Sequence, residues 1–299
     1  MQRAVLLALL LGGAAAALAA PLSTDARAAM LALDPERISE GQVRELLVLA
    51  PAPRVLLFQG SLGADMESFG AFLHALGYPA QRLRNPATGR YSYSLRWDGC
   101  RCVECETLAA GIGRHARDDG VAPVMVGHSG GGVTVGRILQ RLAATDGAPR
   151  LPFAATLGTG ALLRWAPGFP GCAADVPQLG RVPASVATFT GYRIDGDPFT
   201  SLLGFGDYRA AEGSDPPAQV RNVLLPAQVS HVRAFEVDGY AEHPQLRNWI
   251  SAYHPGSDAP LPDAPGLDLG NLRHAADLWH SLKKHWALQA RQWAAQAGD

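Results

Sequence analysis

The 299-residue chain is poor in charge, cysteine and methionine: 18% of its residues are charged, and it holds four cysteines and four methionines. Lys and Arg number 26 against 27 Asp and Glu, for a formal net charge of -1, and no run of five like charges occurs. Nucleic-acid binding needs a basic face that displaces phosphate counterions, so no nucleic-acid partner is expected. The 33 glycines and 22 prolines follow no three-residue period, which excludes a collagen-like chain. A hydrophobic share of 47% excludes a disordered one and can fill the core of one large α/β domain or two small ones.

What is present begins with an apolar amino end. Arg3 precedes an uncharged run from Ala4 through Leu11 and a set of alanines, closed by Ala17-Leu18-Ala19. These are the three parts of a secretory signal peptide, expected over residues 1–19, with cleavage after Ala19 because Pro21 disfavours the next bond. The chain is therefore read as exported, to a periplasm or beyond. An oxidising compartment makes disulfides the expected state of Cys100, Cys102, Cys105 and Cys172. Complete pairing forces one local bridge and one long bridge to Cys172. The alternative is a four-thiolate metal site, since Cys-x-Cys-x-x-Cys plus a distant cysteine supplies the ligands.

Along the chain, Ser39 and Gln42 have capping-box spacing ahead of a short helix. Strands are expected at 54–58, 81–83, 121–126, 153–157, 186–190 and 220–225. Helices are expected at 65–76, at 104–118, from Val133 through Leu142, and near Pro244. Residues 84–102 and 158–183 carry no period and read as long loops. Strands alternating with helices imply parallel units with right-handed crossovers, hence a doubly wound, mostly parallel α/β sheet with helices on both faces. Seven prolines and glycines between 255 and 270 mark a linker. Beyond it, residues 271–299 read as an amphipathic accessory helix with Trp279, Trp286 and Trp293 on one face. The expected fate of those tryptophans is packing on the body. The alternative is a weak membrane-interface contact, with Lys283, Lys284 and Arg291 meeting anionic head groups.

The chemistry-bearing motif is Gly127-His128-Ser129-Gly130-Gly131, a Gly-x-Ser-x-Gly pentapeptide placed between a buried strand and an amphipathic helix. A tight strand-to-helix turn lifts a serine hydroxyl above the sheet, and small residues two before and two after let strand and helix approach. Gly127 and Gly132 also have the spacing of a phosphate-binding loop, but Val133 stands where that loop requires lysine.

With these residues the chain resembles the α/β-hydrolase superfamily, in particular secreted serine lipases and esterases, over about residues 50–253. The resemblance implies the domain boundaries 20–254 and a Ser, Asp, His order along the chain. It places the acid after the 186–190 strand, at Asp197, with Asp195 as the alternative. It places the base after the last strand, at His231, with His243 in reserve, and gives His128 a supporting role. It puts oxyanion-hole donors on Gly130 and Ser61, although Gln59 stands where the family commonly has histidine. It implies no cofactor and no metal. The implied activity is cleavage of small-molecule or lipid carboxylic esters through an acyl-enzyme. Acyl transfer or thioester cleavage by the same residues is the alternative, as is a non-catalytic binding protein on this fold. A further expectation is a disulfide-fixed cap over Ser129, lined by Tyr91, Tyr93, Trp97, Trp165 and Phe169.

Overall fold

The apolar run Val55-Leu56-Leu57-Phe58 sends Val55 and Leu57 into one core and Leu56 and Phe58 into another. Only a strand covered on both faces does this. The computed structural model describes residues 22–297 apart from 61–64, 95–96, 99–100, 103, 160–175, 202–206 and 214. The leader, Ser61, Cys100, Cys172, Trp165 and Phe169 lie outside the described residues.

Six strands form the central sheet: β1 Val55–Phe58, β2 Ser92–Tyr93, β3 Val124–His128, β4 Leu151–Leu157, β5 Val186–Ile194 and β6 Gln219–Leu225. Their order is β6-β5-β4-β3-β1-β2, and every neighbouring pair is parallel. The fold is the expected doubly wound α/β sheet. Helices Cys105–Asp118 and Gly130–Ala143 cover one face. Helices Glu67–Ala75, Pro244–Ala252 and Leu272–Gln296 cover the other. The chain leaves β1 for β2 on one side and then continues from β3 on the other. The direction therefore switches between β1 and β3, and their carboxyl ends diverge into the crevice where such folds bind ligands.

Several expectations need correction. Residues 81–83 are helical, within Ala80–Leu83 behind Pro79, because a three-residue apolar stretch carries no period to separate the two states. The 84–102 loop contains β2, which pairs Leu57 with Ser92 and Phe58 with Tyr93. A two-residue strand is too short to show alternation. Tyr91 and Tyr93 are buried in the two cores, Tyr91 against Gly70 and Tyr93 against Phe58, so they line no open cap. The 255–270 linker is itself tied to the body. Trp249 Nε1 donates to Pro260 O, Tyr240 donates to Asp268 O, and Ala264 is buried.

The carboxyl-terminal helix shares the core of the sheet. Trp279 and Trp286 are 1% and 0% exposed, and Trp293 packs against the same cluster, so the tryptophan stripe is spent on the body. Among the described residues no helix is long and apolar enough to cross a membrane. The Ser39 capping box forms in both directions, Gln42 N–H to Ser39 Oγ and Ser39 N–H to Gln42 Oε1. The local disulfide is Cys102–Cys105, which removes both thiols from the metal-site alternative; the long bridge lies outside the described residues.

Candidate active site

β3 ends at His128 and the following helix begins at Gly130, so Ser129 alone turns the chain. It does so at φ +51° and ψ −117°, as the only non-glycine with positive φ among the described residues. That conformation costs about 1–3 kcal/mol and persists only where the surroundings hold it. Ser129 N–H donates to Leu157 O at 2.9 Å, and Ser129 O accepts from Gly132 N–H at 2.9 Å. The flanking glycines are required by closeness. A β-carbon on Gly127 would stand 2.5 Å from Gly131 O, and one on Gly131 would stand 2.0 Å from Phe58 O at the end of β1.

The turn after β6 brings His231 to this hydroxyl. His231 Nε2 lies 3.0 Å from Ser129 Oγ, and Nδ1 lies 2.8 Å from Asp197 Oδ2. A carboxylate can only accept, so the imidazole proton sits on Nδ1 and Nε2 is left to accept the serine hydroxyl. Asp197 is 6% exposed and its oxygens are used: Oδ1 accepts from Phe199 N–H at 3.0 Å, and Thr200 Oγ1 lies 3.1 Å from Oδ2. Phe199 also sets its ring 4.6 Å from the His231 ring, which shields one face of the base. Thr200 and Phe199 belong to the Asp197-Pro198-Phe199-Thr200 segment, whose pattern drew attention to Asp197 but not to its own neighbours.

Three expected residues thus meet, and the alternative residues stand elsewhere. Asp195 is exposed, with its N–H on Leu225 O. His243 precedes the Pro244–Ala252 helix as its cap and is bonded to neither Ser129 nor Asp197. His128 is fully buried with Nε2 2.7 Å from His231 O. A carbonyl can only accept, so His128 donates from Nε2 and holds the backbone of the base. Gly130 is the first residue of its helix, where unpaired N–H groups and the helix dipole favour negative charge. A cavity of about 390 Å³ opens beside the pair, lined by Asp195, Asp197, Phe199, Ser230, His231 and Val232. Among the described residues no group of three or more His, Cys, Asp or Glu is placed to hold a metal ion.

No protein-family model matches the chain, and no curated protein matches it. Two solved structures similar to it are RedJ with a PEG molecule bound in its active site, and the RedJ thioesterase from the prodiginine biosynthetic pathway in Streptomyces coelicolor. The first is 16% identical, covers 68% of this chain and 92% of RedJ, and has a TM-score of 0.34. The second is 14% identical, covers 68% and 86%, and has a TM-score of 0.35.

Proposed function

We propose that the chain is a serine hydrolase of the α/β-hydrolase type that cleaves carboxylic esters through an acyl-enzyme. The observation that carries this is the hydrogen-bonded chain from Ser129 Oγ through His231 to a buried Asp197, with Ser129 held in a strained turn. Drift in a binding protein has no reason to keep all three groups in bonding distance.

His231 Nε2 takes the Ser129 proton as Oγ attacks the acyl carbon, and Asp197 holds the imidazole tautomer and stabilises its cation. The oxyanion that forms is met by Gly130 N–H and, in this reading, by Ser61 N–H beyond β1. The imidazolium then protonates the leaving group, water replaces it, and the same steps in reverse free Ser129. Neither step calls for a metal or cofactor.

Nothing in these roles distinguishes an oxygen from a sulfur leaving group, so thioester cleavage is the second reading, and RedJ is a thioesterase by name. Export is part of the proposal; the leader-like residues 1–19 and the Cys102–Cys105 bridge support it.

The test is covalent labelling by a fluorophosphonate, read by intact mass, on wild type, Ser129→Ala and His231→Ala. One adduct on wild type, absent in Ser129→Ala and slow in His231→Ala, is expected. Parallel panels of p-nitrophenyl esters and acyl-coenzyme A thioesters then separate the two leaving groups. A folded wild type that takes no label and turns over neither panel would overturn the reading.

A further inference from the structure

The base, His231, stands in a segment without strand or helix, from Ser230 to Tyr240, whose position must be fixed by side chains from elsewhere. Much of that fixing comes from the amino-terminal turn of the carboxyl-terminal helix. Asn271 Nδ2 donates to both Arg233 O, at 2.7 Å, and Glu236 O, at 2.9 Å. His274 Nε2 lies 2.6 Å from Ala234 O and must donate to it. Between these bonds Phe235 is buried edge-on, its centroid 5.0 Å from that of Phe69, 5.3 Å from His128 and 6.4 Å from His274. His128, in turn, holds His231 O from the nucleophile's side.

We infer that Asn271 and His274 are positioning residues for the base: the carboxyl-terminal helix sets where His231 stands relative to Ser129 and Asp197. This rests on the triad reading above. The physical argument is one of alternatives. Ala234 is buried outside any strand or helix, and a buried carbonyl needs a donor; Arg233 O, which also accepts Glu236 N–H in a turn, and Glu236 O offer two more acceptors beside it. The helix supplies three donors on one turn, spaced Asn271 and His274, so the loop has one low-energy seat. Burial pushes the His274 pKa down to about 4 and so keeps the ring neutral above that, and Ala234 O fixes its proton on Nε2. Loss of this seat lets His231 drift from contacts of 2.8 and 3.0 Å, and a displacement of about 1 Å slows hydrogen-bonded proton transfer by up to about 10²-fold.

The experiment uses the full chain. Asn271→Ala and His274→Leu are compared with the conservative His274→Gln, whose amide returns a donor near Nε2. Each is read three ways: melting temperature, the rate of fluorophosphonate labelling together with kcat and KM, and the downfield NMR resonance of the proton shared by His231 Nδ1 and Asp197. The expected result is a fall of tenfold or more in labelling rate and kcat, little change in KM, a lost or shifted resonance, and recovery in His274→Gln. If Asn271→Ala does not fold, the His274 pair carries the comparison. Variants that melt earlier but label at the wild-type rate and keep the resonance would overturn the inference while leaving the triad intact. An unlabelled wild type overturns the triad reading instead, and the resonance still reports whether the helix holds His231 in place.

Discussion

Gly131→Ala is the substitution with the most to say about how Ser129 is placed. The added methyl would stand 2.0 Å from Phe58 O, 2.6 Å from Phe58 C and 2.8 Å from Gln59 O, all of them backbone atoms. Contacts under 3.0 Å do not persist, so helix and β1 must part by about 1 Å. Gly131 is two residues beyond Ser129, and that shift is as large as the slack in the 3.0 Å bond to His231 Nε2. A misplacement of about 1 Å costs on the order of 10²-fold, or about 3 kcal/mol in the barrier. Overpacking also lowers stability by about 1–3 kcal/mol. Gly136→Ala is the control: it lies in the same helix, and its methyl would meet Leu179 Cδ2 at 3.0 Å, the movable end of a side chain. Labelling rate, kcat on a p-nitrophenyl ester and melting temperature are measured on all three proteins. Wild-type labelling by Gly131→Ala, with the fold intact, would refute the claim that the approach of helix to β1 sets Ser129.

Asp197→Asn should lower kcat by roughly 10⁴-fold with little loss of secondary structure, because an amide facing Nδ1 favours the wrong tautomer; steady-state kinetics and circular dichroism check both halves. Trp286→Ala should cost about 3–5 kcal/mol in urea unfolding, since the ring is fully buried against Tyr78; an exposed, interfacial tryptophan would cost far less. Burial pushes His274 and His285 down to about 4 from an ordinary 6.5, so between those values the unfolded chain binds more protons than the folded one. Stability should therefore fall as pH drops from 6.5 to 4, by up to about 1.4 kcal/mol per pH unit for each histidine, and His285→Phe should remove one histidine's share of that slope in urea titrations. The carboxyls of Glu40, Glu67 and Asp119, lowered by Arg247, by the Ser92 and Tyr91 N–H groups and by Arg82, add to the loss as pH falls into and below the ordinary carboxylate range.

The sheet is legible because β1 and the start of β3 are continuous apolar runs and strands alternate with helices, and the meeting of Ser129, Asp197 and His231 because the family resemblance and the turn context restrict the choices. Ser129 is marked by two glycines, Gly127 needed against Gly131 within the turn and Gly131 needed against Phe58 at the end of β1. Asp197 and His231 are 68 and 102 residues further along, yet each follows a strand that ends at the same sheet edge, so topology brings them together. What failed was short or non-periodic. Two residues of β2 cannot alternate visibly, and residues 80–83 fit strand or helix equally well. The choice between Asp195 and Asp197 is open in the sequence for another reason: both stand in the turn just after β5, and only the folded turn, with Thr200 and Phe199 N–H behind Asp197, decides between them.

The carboxyl-terminal helix packs its tryptophans on the body as expected, but the rest of its buried face is more polar than that of a core helix usually is. His274, Asp277, His280, Lys283 and His285 are each 5% exposed or less. The structure supplies a reason that no periodicity can express. This helix covers irregular chain as well as strands, and irregular chain brings unpaired carbonyls into the core. His280 meets Glu36 O, Lys283 meets Ile38 O and Ser251 O, Arg291 meets Leu33 O, and Asn271 and His274 meet the base loop. Burial pushes Lys283 down to about 8, so below that pH its charge is held against desolvation by those two carbonyls and by the Glu40 carboxylate. A polar residue on a buried helical face is thus the complement of a loop elsewhere in the sequence, and its partner can be known only once the fold has brought the two together.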